Sequence, residues 1–120
     1  MDTRVERVVE LDAPTERLEP RLMEWARSSR FVCTERGAGR WAFRRGSAWR
    51  AWFNSDIDKL PSRATVEVVA ERPLTVRASM QVNFGTRVAT KAHKEADVSE
   101  QVGLLVGYLR GVYDFNAGIG

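Results

Sequence analysis

The sequence predicts an α+β domain, a curved antiparallel sheet of about five to six strands packed on one face by an N-terminal helix and a long C-terminal helix. Three observations carry this. Leu74, Val76, Ala78, Met80, Val82 and Phe84 alternate without a break against Thr75, Arg77, Ser79, Gln81 and Asn83, the pattern of a sheet buried on one side only. From about Lys91 to Tyr113 the period becomes helical, with Val98, Val102, Leu105, Leu109 and Val112 at spacings of four and three. The order of segments is strand, helix, a run of strands, then helix.

Taken in order, Arg4 to Leu11 reads as a first strand with Val5, Val9 and Leu11 toward one side, closed by Asp12-Ala13-Pro14-Thr15. A helix follows on Leu18, Leu22, Trp25 and Ser29; Pro20 cannot sit deep within it, so the helix either starts near Pro20 or bends there. Phe31 to Arg36 and Arg40 to Arg45 are extended runs reversed through Gly37-Ala38-Gly39. Gly46-Ser47 has the glycine that the first central position of a type II′ turn demands, and so predicts a second hairpin with Ala48 to Phe53. Asn54 to Pro61 is a loop of turn-forming side chains. Thr65 to Ala70 and Leu74 to Phe84 form the clearest strand pair, and Asp97-Val98-Ser99-Glu100 offers an internal capping box to the last helix. One domain is expected over residues 1–115, with 116–120 a flexible tail.

Bulk composition narrows the function classes. The longest nearly apolar run, Val102 to Leu109, is too short for a membrane helix, and Met1 to Glu6 lack the apolar stretch of a signal peptide. The expected place is the cytoplasm, and the lone Cys33 fits a reducing compartment as an inert buried thiol. No cofactor or metal is expected. Asp56 and Asp58 lack the glycine and distal glutamate of a calcium loop, and His93, four residues before Asp97, reads as a solvated helix residue. The sequence carries no P-loop, G-x-S-x-G, HExxH or CxxC pattern.

The largest asymmetry is local. Trp25, Trp41, Trp49 and Trp52 fall within 28 residues, and Arg21 to Arg50 holds eight arginines against Glu24 and Glu35. Arg44, Arg45 and Arg50 flank the Gly46-Ser47 turn, with Trp52 on the side of Arg50 by alternation, so the four are candidate contact residues. A second candidate is the helix stripe Gly103, Gly107 and Gly111, where a backbone can approach closely. The expected function is a small non-catalytic binding or assembly module, acting on a protein partner or by self-association. One alternative is a small-molecule pocket between sheet and C-terminal helix, lined by Met80, Val82, Phe84, Leu105 and Tyr108; its outline is similar to the helix-grip arrangement of ligand-binding proteins. The other is nucleic-acid binding through Arg44, Arg45 and Arg50.

Overall fold

The computed structural model describes residues 2–46, 61–84 and 90–112. It has a five-stranded antiparallel sheet with two helices on one face. The elements are β1 (Asp2–Leu11), a 3-10 turn (Thr15–Arg17), α1 (Leu18–Ser28), β2 (Val32–Gly37), β3 (Arg40–Arg45), β4 (Ser62–Glu71), β5 (Leu74–Asn83) and α2 (Lys91–Leu109). The strand order is β1-β5-β4-β3-β2, so the first strand returns beside the last and, among the described residues, both β1 and β2 are edges. No helix among the described residues is long and apolar enough to cross a membrane.

Parity decides what is buried. Leu74, Val76, Ala78, Met80 and Val82 of β5 point to the helices, each at 5% exposure or less. The register carries that face to Val5, Val9 and Leu11 on β1, to Ala64 and Val66 on β4, and through Val66 and Ala64 to Trp41 and Phe43 on β3. From above, Leu18, Leu22, Trp25 and Ala26 of α1 and Val98, Val102, Leu105, Val106 and Leu109 of α2 close the core. Trp25 is its centre: its ring stacks on Phe31 at 4.7 Å and meets Phe43 edge-on at 5.3 Å.

Pro20 is the third residue of α1, in the first turn where its missing N–H has no intrahelical partner to lose. The helix therefore starts two residues before it and does not bend. The α2 cap is Thr90, whose hydroxyl accepts from the His93 N–H at 3.1 Å. Asp97 to Glu100 lie inside the helix, so the expected capping box there is not formed. α2 also ends earlier than Tyr113, because Gly111 takes a left-handed φ of 78° while its N–H bonds to Tyr108 O and that of Val112 to Gly107 O, both at 3.0 Å. This paired closure is a Schellman ending, so Gly111 terminates the helix and does not belong to a stripe within it.

α1 ends the same way, with Phe31 N–H bonding to Ala26 O at 2.8 Å and Phe31 packing back on Trp25, but its left-handed residue is Arg30, at φ 63°. A side chain in that region is strained by about 1 kcal/mol, and Arg30 is exposed. Arg30→Gly is expected to raise stability by about 0.5–1 kcal/mol in thermal or urea unfolding; a loss of stability would show that the side chain has a role.

β3 pairs with β2 over Arg40–Arg44 on one side and with β4 over Arg40–Arg45 on the other. The expected hairpin through Gly46-Ser47 to Ala48–Phe53 falls on a segment outside the described residues, as do Arg50 and Trp52. Residues 116–120 lie outside them too.

Candidate functional site

Arg44 and Arg45 are neighbours in sequence and sit on opposite faces of β3. Arg45 has the parity of Trp41 and Phe43, points beneath the helices, and is only 6% exposed. Its guanidinium lies 4.3 Å from the centre of the Phe31 ring and donates to Ser29 O at 3.0 Å and, more weakly, to Gln101 Oε1 at 3.4 Å. It ties β3 to the end of α1 and to the middle of α2. Arg45 is thus a correction to the expected surface cluster, because its charge is spent inside the fold.

Other arginines of the excess are also engaged within the chain. Arg21 reaches from α1 to donate to Leu109 O at 3.0 Å, placing a cation at the negative end of α2. An added Cβ on Gly111 would fall 2.6 Å from this guanidinium, a second reason for glycine there. Arg27 pairs with Glu24, and Arg36 with Glu19. The Arg36 guanidinium, followed by the Trp41 indole N–H, holds the Glu19 carboxyl below its ordinary pKa. A carboxylate depressed in the folded state adds stability above its unfolded pKa, about 4.3, and loses it as pH falls through the lower folded value. Glu19→Gln is therefore expected to lower the melting temperature slightly on the neutral plateau and to converge with wild type in acid, which flattens the acid limb; an unaltered acid limb would count against the pairing.

The face away from the helices is different. No helix covers it among the described residues, and the register aligns its side chains into rows across four strands. One row runs Arg40, Glu67, Arg77, Val8, and the next runs Ala42, Thr65, Ser79, Glu6. Here charges are matched: Arg77 lies 3.4 Å from Glu67 and 3.2 Å from Glu6. The following row runs Arg44, Arg63, Gln81, Arg4 and contains no carboxylate, and beyond it the register sets Asp2 opposite Asn83. Arg4 reaches Glu6 in the next row at 3.2 Å, whereas Arg44 and Arg63 make no ion pair among the described residues. Directly opposed like charges on neighbouring strands are destabilising. Both arginines border a concavity of about 270 Å³ with Pro61, Ser62, Gln81 and Asn83 on its walls.

The other candidates are placed as follows. Met80, Val82 and Leu105 are at 0–1% exposure, Phe84 at 6%, and Tyr108 packs partly buried against them, so these residues form the core between sheet and helix. Gly103 is half-buried on α2 near the Arg7 guanidinium, 3.9 Å from where its Cβ would stand, and Gly107 is half-buried one turn on. Cys33 is half-buried on the edge strand β2 and its thiol lies 3.4 Å from Glu35 O, in contrast to the expected buried site. His93 is exposed and 3.6 Å from Asp97. Among the described residues no group of three or more His, Cys, Asp or Glu could hold a metal. Arg63, absent from the expected site, shares the parity of Thr65 and Glu67, but its position opposite Arg44 is a property of the register.

No family model and no curated protein matches the chain. Among solved structures, a structural-genomics target from Nitrosospira multiformis is similar at 16% identity and a TM-score of 0.44, over 91% of this chain and 94% of that one.

Proposed function

We propose that this chain is a non-catalytic binding module that engages an acidic segment of a partner protein at the Arg44–Arg63 corner of its open sheet face. The supporting observation is this row: three arginines and an amide across four strands, with Arg44 and Arg63 in no ion pair among the described residues, whereas Arg77 on the same face pairs with Glu67 and Glu6. A carboxylate seated between the two guanidiniums relieves their repulsion and accepts paired hydrogen bonds from both.

Phosphate would satisfy the same arginines, but a single-stranded nucleic acid also needs aromatic faces for its bases. Among the described residues no aromatic side chain borders the corner, and Trp41, the tryptophan of β3, is only 8% exposed and faces the helices, which favours a carboxylate partner. Fluorescence anisotropy with poly-L-glutamate and with a single-stranded oligonucleotide separates the two. Polyglutamate is expected to bind more tightly, to weaken with salt, and to lose about tenfold in affinity on Arg44→Ala with Arg63→Ala. Tighter binding of the oligonucleotide would replace the protein partner with a nucleic acid, and undiminished binding by the double variant would remove this corner from the site.

A further inference from the structure

The two edges of the sheet are not alike. β2 is six residues long, is broken by a bulge between Cys33 and Glu35, and ends in Gly37, features that discourage further strand pairing. β1 is ten residues long, paired to β5 in unbroken register from Asp2 to Leu11, and free of proline, lysine and bulges. Its outer edge therefore presents a row of backbone donors and acceptors with few of the usual safeguards. The main one is a charge on the inner face, Arg7.

We propose that β1 pairs with β1 of a second copy, making a continuous sheet across a twofold axis at Val5. A twofold that sets two identical strands antiparallel stands perpendicular to the sheet and keeps the same face up in both copies. Opposed residue numbers must then sum to an even value. Centring the pair on Glu6 sets Glu6 against itself, and centring it on Val8 sets Glu6 against Glu10 twice. Centring it on Arg7 sets the two Arg7 side chains directly against each other. The register centred on Val5 has no like-charged pair. Arg4 faces Glu6 in both directions, Val5 faces Val5, and Arg7 faces the hydroxyl of Thr3. α2 rests on both β1 and β5, so the two copies of α2 would lie about two strand spacings apart, roughly 9–10 Å, which is the distance at which helices pack.

This surface is independent of the acidic-partner reading, and Arg44→Ala with Arg63→Ala is expected to leave the dimer intact. The test joins sedimentation velocity over a concentration series to oxidative crosslinking in a Cys33→Ser background. A concentration-dependent dimer is expected. Val5→Cys should crosslink, because residues directly opposed across antiparallel strands sit about 4.5–5.5 Å apart at Cα, within disulfide range. Arg7→Cys should not, since its two copies are then roughly 13 Å apart. Arg4→Glu should weaken association by about tenfold while the thermal melt of the dilute protein stays cooperative. A monomer at all concentrations overturns the proposal, as does crosslinking through Arg7→Cys but not Val5→Cys, or an Arg4→Glu protein that associates as before.

Discussion

Replacing Arg45 with alanine is expected to lower the free energy of unfolding by about 3 kcal/mol, whereas Arg44→Ala, one residue away, should change it by no more than about 0.5 kcal/mol. The contrast follows from strand parity. Arg45 is 6% exposed and its guanidinium serves Ser29 O, Gln101 and the face of Phe31 at once. Truncation leaves a carbonyl at the end of α1 without its donor, opens space beside Phe31, and releases β3 from both helices. Arg45→Met separates these effects, because it keeps the aliphatic stem and removes the donors; it should recover part of the loss, about 1 kcal/mol. Arg45→Lys should fall short of wild type, since an ammonium cannot span two acceptors while lying flat on a ring. Urea unfolding of the four proteins reads this directly. Equal effects of Arg44→Ala and Arg45→Ala would mean that the two side chains share one environment.

A still larger loss is expected for Trp25→Ala, about 4 kcal/mol. Trp25 is 1% exposed, lies under the stacked Phe31 and against the edge-on Phe43, and fills the junction of α1 with β3. The transfer and cavity contributions are joined by two aromatic contacts, each worth roughly 0.5–1.5 kcal/mol. The packing of Phe31 on Trp25 is also the hydrophobic contact that closes the Schellman ending of α1, so the substitution should loosen Arg30 as well. Native stabilities are usually about 5–15 kcal/mol, so this variant is expected to melt many degrees lower or to be partly unfolded at room temperature. Trp25→Phe should retain most of the stability. A Trp25→Ala protein that melts within a few degrees of wild type would contradict the placement of the core.

How far the sequence foretells this molecule depends on the range of the interaction concerned. β5 is legible residue by residue, because it is an interior strand with one face under helices, and that situation writes itself as strict alternation. The existence and start of α2 are legible for the same reason. Its end is not, since Gly103, Gly107 and Gly111 look equivalent at four-residue spacing until φ at Gly111 distinguishes the terminator from the others. Arg45 was within reach: residues 41, 43 and 45 share a parity, and the burial of Trp41 and Phe43 carries Arg45 inward with them. Gly46, by contrast, has the positive φ expected of a hairpin turn, 77°, yet β3 finds its partners in β2 and β4. The facing of Arg44 and Arg63 lies furthest from the sequence, because the long segment between β3 and β4 fixes no register, and only the register turns two scattered arginines into one corner.

That corner is tested most directly by a nitrogen-15 chemical-shift titration of the labelled protein with poly-L-glutamate. Saturable shifts are expected at the backbone amides of Arg44, Ser62, Arg63, Gln81 and Asn83, with little change along α1 and α2. Shifts centred on the helix layer, or spread evenly over all exposed arginines without saturation, would contradict a carboxylate site on the open face.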